Sequence, residues 1–153
     1  MSIEEQWNAV AKKHKVPLFK ELDAEFDFSS VDETNFPTKA LIIKILDKVD
    51  YYSAMLSELL QPDTSNIYSM HETRFFDEES KKSIYGLYCK LMECHRRCNE
   101  LVLINSEKED CEFVNDFFEE WRKDKIVLIN IFKRMGESWK SKSDIKEDLE
   151  YFG

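Results

Sequence analysis

Cys94, His95, Cys98 and Cys111 are the residues whose types and spacing could do chemistry. Cys94 and Cys98 stand one helical turn apart and so share a face. If the helix that carries them turns back near residue 106, Cys111 comes to within about one turn of the same level, and three sulfurs and an imidazole could converge. Those are the ligands of a tetrahedral Zn²⁺ site. Two thiols on one continuous helix lack the loop spacing of a finger or ribbon, however. Small thiols are also what a core uses to make room for a bulky Trp121 or Phe118 opposite. The pattern therefore predicts core thiols first and zinc second.

Carboxylates offer a second chemistry. Glu119, Glu120 and Asp124, facing Asp47 and Asp50, are the set that could hold Mg²⁺ for a metal-dependent hydrolase of a nucleotide or related phosphate. A di-metal bundle would carry Glu-x-x-His pairs, and the sequence has none. A solvated acidic face is the plainer reading of the same residues. His71, Glu72 and Arg74 bring an imidazole, an acid and a guanidinium together between aromatics, as a lid over a pocket would. No glycine-rich phosphate loop and no Gly-x-Ser-x-Gly occurs. The sequence therefore names no reaction and requires no cofactor.

Asp124 is different in kind. It interrupts a stripe that is otherwise apolar from Val114 to Met135, so the spacing turns it inward, and an inward carboxylate needs a partner. A hairpin turning near residue 106 puts Tyr88 at the same level. The sequence predicts a buried Asp124–Tyr88 hydrogen bond, with Lys81 or Lys125 as partners if the helix rotates outward.

The elements that would position these residues are helices. Only three glycines and three prolines punctuate 153 residues, too few for the turns of a multi-stranded sheet. Ser2 with Glu5 forms a capping box before a helix over 3–14, and Pro17 opens a short second one through Phe26. Apolar residues at three- and four-residue spacing then predict long helices over about 38–60, 78–105 and 107–135. Asp77 caps the second, Ser106 caps the third, and Gly136 ends it as a left-handed cap. Residues 62–76 read as a long connection packed over one end. Residues 137–153 form a tail that is docked loosely, with Ile145, Leu149 and Phe152 at helical spacing. The predicted fold is an all-α antiparallel helical bundle, one domain over 1–153, with shorter helices at both ends.

Charge and composition bound the partners. A net charge of −9 repels phosphate backbones, which argues against nucleic acid and against an anionic membrane surface. The longest apolar run, Ile126 to Phe132, is broken by Asn130 and far short of the roughly 20 residues that span a bilayer. The amino-terminal residues carry acids where a signal peptide would carry bases, and the four cysteines form no disulfide framework. A cytoplasmic protein is expected. Ile126, Val127, Ile129 and Phe132 cover too much of one helix for a surface element with a single neighbour, so they are the predicted interface. The function this supports is a protein-interaction or structural module acting as a homodimer or larger homo-oligomer, or binding another protein.

Overall fold

The computed structural model describes residues 1–140. The expected tail helix through Ile145, Leu149 and Phe152 lies outside them. Among the described residues all regular structure is helical, with no strand. In chain order the elements are α1 (Ile3–Lys13), α2 (Phe19–Phe26), a 3₁₀ turn (Phe28–Ser30), α3 (Pro37–Leu60), α4 (Ile67–Phe75), α5 (Glu78–Leu103) and α6 (Glu107–Lys140). No described helix is long and apolar enough to cross a membrane.

The starts obey local chemistry. Ser2 and Glu5 complete their reciprocal box. Asp77 accepts the Ser80 N–H at 2.7 Å, and this bond holds the Asp77 carboxyl below its usual range. Ser106 accepts the Glu109 N–H at 3.2 Å. Each supplies an acceptor to a first-turn N–H that has no partner inside its own helix.

Two expectations are corrected. The connection between α3 and α5, expected as a packed loop, contains a nine-residue helix, α4. Asn66 caps it by accepting the Tyr68 N–H, and Thr73 anchors it by donating to the Leu59 carbonyl at 2.7 Å. Nor does Gly136 end α6. The helix runs on to Lys140, and no described glycine has positive φ. A mid-helix glycine costs about 1 kcal/mol relative to alanine. The contacts that Ser138 and Trp139 make with His71 and Glu72 hold the last turn against that cost.

The chain divides into two compact units. The first combines Met1–Tyr51 with Met92–Arg122. Its core is aromatic: Trp7, Phe19, Phe26, Phe28, Phe117, Phe118 and Trp121 are all buried, among Leu22, Leu41, Ile42, Ile45 and Leu101. Trp7 meets Phe28 edge-on at 5.4 Å, and Phe117 stacks on Trp121 at 5.7 Å. Of the described residues, the second unit combines Tyr52–Leu91 with 123–140. Leu56, Leu59, Phe76, Ile84, Leu87, Leu91, Leu128 and Ile131 fill it. Ser53, Ser69, His71, Thr73, Asp124 and Ser138 are buried beside them.

Candidate functional site

The thiols are not assembled for metal. All four cysteines are free, and among the described residues no three of His, Cys, Asp and Glu are placed to hold an ion. Cys98 and Cys111 are buried, and burial pushes both thiols up to about 12, which keeps them protonated and unreactive at neutral pH. Cys94 is half-buried and Cys89 exposed. His95 is occupied elsewhere. Its Nε2 lies 3.0 Å from Asp50 Oδ1, while its Nδ1 faces Arg96 and Asn99 at 3.1 and 3.2 Å. Nδ1 therefore accepts and Nε2–H donates, a tautomer assigned from the donors around it.

Asp124 is buried, as its place on the stripe requires, with 12% of its side chain exposed. Its partner is Lys90 at 2.8 Å, not Tyr88, whose ring stacks on Tyr85 instead. The reason is the slant of helical side chains. A long side chain leans toward the amino-terminal end of its helix, so the Lys90 ammonium covers the level at which Tyr88 was placed. Its stem snorkels, and 47% of the side chain stays in water.

His71, Glu72 and Arg74 sit on α4 rather than on a loop. His71 is buried, donates from Nε2 to the Ser138 carbonyl at 2.9 Å and stacks on Trp139 with ring centroids 4.0 Å apart. Trp139 Nε1 in turn donates to Glu72 at 3.1 Å. Arg74 Nε donates back to the Met70 carbonyl at 3.3 Å. His71 and Glu72 thus hold the end of α6 against α4.

The first unit holds a polar cluster that the sequence reading missed. Asp110 is fully buried, and it accepts from Thr38 Oγ1 at 2.8 Å and from Lys39 Nζ at 2.8 Å. Lys39 also donates to the Leu101 carbonyl at 2.6 Å. One ammonium thereby satisfies a carbonyl in the last turn of α5 and a carboxylate in the first turns of α6, where the helix termini leave groups unpaired. A signal was present. Counting back along the α6 stripe from Phe117 and Val114 by threes and fours arrives at Asp110. The acid-rich run EKEDCE hid it by reading as a solvated first turn.

Among the described residues, both buried carboxylates are therefore occupied by lysines and fix the positions of helices. What the second unit turns outward is one side of α6, where Ile126, Val127 and Ile129 are 63%, 42% and 43% exposed. Phe132, the fourth residue of the expected interface, is half-buried with its ring 5.8 Å from Tyr52. Comparison with protein-family models, with curated proteins and with solved structures finds no match.

Proposed function

We propose that the protein is a helical protein-interaction module that acts as a homo-oligomer through the outward side of α6. The observation that carries this reading is the joint exposure of Ile126, Val127 and Ile129 on neighbouring positions of one helix. Single exposed apolar residues are ordinary, whereas a contiguous group marks a contact surface.

The same reading takes the three long helices as an antiparallel bundle. Two pairings between α5 and α6 support it: stepping ten residues back along α5 and ten forward along α6 leads from Lys90–Asp124 to Ser80–Arg134. Pairs that step in opposite directions along two helices belong to antiparallel neighbours. Within the first unit, Lys39 on α3 donates to Leu101 near the end of α5 and to Asp110 near the start of α6, which supports counting α3 in the bundle.

Sedimentation of the full chain at micromolar concentration tests the function. The expected result is a species heavier than the 18.3 kDa monomer. A lone monomer at every concentration overturns the reading.

A further inference from the structure

One row of α6 is its own complement. Glu112, Glu119, Ile126, Lys133 and Lys140 stand at seven-residue spacing on a single unbroken helix, and all are exposed. Seven residues are close to two turns, so the row keeps to one face and drifts by only about 20° per step. Its order is acid, acid, apolar, base, base, which is antisymmetric about Ile126. Ile126 is also the most exposed of the three apolar residues on that side. Glu119 and Lys133 hold no hydrogen bond or ion pair among the described residues, and Glu112 reaches only Lys108, at 4.0 Å.

A row with that symmetry selects both a partner and a direction. Glu119 and Lys133 lie at equal distances on either side of Ile126, about 10.5 Å along the helix. Two parallel copies would set Glu119 on Glu119 and Lys133 on Lys133, and like charges at contact oppose association. An antiparallel copy turned about a two-fold axis at Ile126 sets each acid on the other copy's base. Moving the axis to midway between Ile126 and Ile129 would put Arg122 opposite Lys133 and Glu119 opposite Gly136. The charges therefore fix the register as well as the direction. With the axis at Ile126 that residue meets its own copy, and Ile129 lies only about 4.5 Å further along each helix.

We propose that two copies of the chain pair antiparallel through α6 about a two-fold axis at Ile126, with Glu119 of each copy meeting Lys133 of the other. This rests on the reading that the outward side of α6 mediates self-association, and it names the partner surface and its register. The isoleucines supply the apolar centre, and two-fold symmetry makes the ion pair twice. Exposed ion pairs add little affinity, so their part is to reject the wrong direction and register.

The test is sedimentation equilibrium of the full chain carrying Glu119→Lys or Lys133→Glu, each alone and then mixed, with circular dichroism as a folding control. The wild type should be a dimer that salt weakens. Each variant alone sets two like-charged pairs across the axis and should dissociate on the order of tenfold more readily. An equimolar mixture should regain the wild-type dissociation constant, because a mixed dimer keeps one original pair and carries the other with its signs exchanged. A wild-type dimer that either reversal leaves intact overturns this pairing and leaves the α6 face standing. A mixture as weak as its components does the same. A monomeric wild type, the result if residues 141–153 of the same chain fill the face, overturns both readings.

Discussion

The two units solve the burial problem in opposite ways. The first packs seven aromatic rings and keeps its buried polar residues to Thr38 and Asp110, while the second, among the described residues, buries six polar residues with few rings among them. Each contains a lysine–aspartate pair at 2.8 Å, yet the pairs are not equivalent. Asp110 and Lys39 keep 1% and 17% of their side chains exposed, Asp124 and Lys90 12% and 47%. Distance alone does not rank them. Desolvation does, because a charge that water cannot reach depends wholly on its protein partners.

That contrast can be broken most directly at Lys39. Lys39→Met leaves the Asp110 carboxylate buried with only Thr38 beside it and should cost about 3–5 kcal/mol, read from the midpoint of chemical denaturation. A loss under about 1 kcal/mol would mean that water enters the site and the two pairs are alike. Asp124→Ala should cost less, about 1–3 kcal/mol, because the half-exposed Lys90 ammonium recovers its hydration. Equal losses at the two sites would erase the distinction.

The third effect is absent at neutral pH and confined to alkaline pH. Cys98 and Cys111 titrate near 12 in the fold against 9.0 ordinarily, so above about pH 9 the unfolded chain releases thiol protons that the folded chain keeps. Stability from these groups is complete below pH 9 and drains away as pH rises toward 12, by at most about 1.4 kcal/mol per pH unit for each thiol. Cys98→Ala should flatten that slope relative to wild type, and an unchanged slope would show that the thiol ionises in place.

Legibility from sequence followed the range of the interaction. Ser2, Asp77 and Ser106 announce helix starts because a cap is settled within four residues, and the inward turn of Asp124 follows from periodicity alone. The partner of Asp124 did not follow, since it depends on the reach and slant of Lys90 across two helices. Gly136 reads locally as a stop, and only contacts with His71 and Glu72, more than sixty positions away, override it. Lys39–Asp110 combines both difficulties, with a sequence separation of 71 and an acid disguised by acidic neighbours. The exposure of Ile126, Val127 and Ile129 on α6 was legible as a run too apolar for one neighbour.

Neither unit is continuous in sequence, and this has a consequence for the order of events during synthesis. Trp7, Leu22 and Ile45 belong to a core that also needs Leu101, Val114 and Trp121, which follow only after Tyr52–Leu91 has been made. At about 5–20 residues per second, the first fifty-one residues wait roughly 4–14 s on the ribosome before their unit is complete. During that interval only contacts within the first segment, such as Trp7 on Phe28, can form, and the apolar surface that the later segment covers stays open to water and to holdase chaperones.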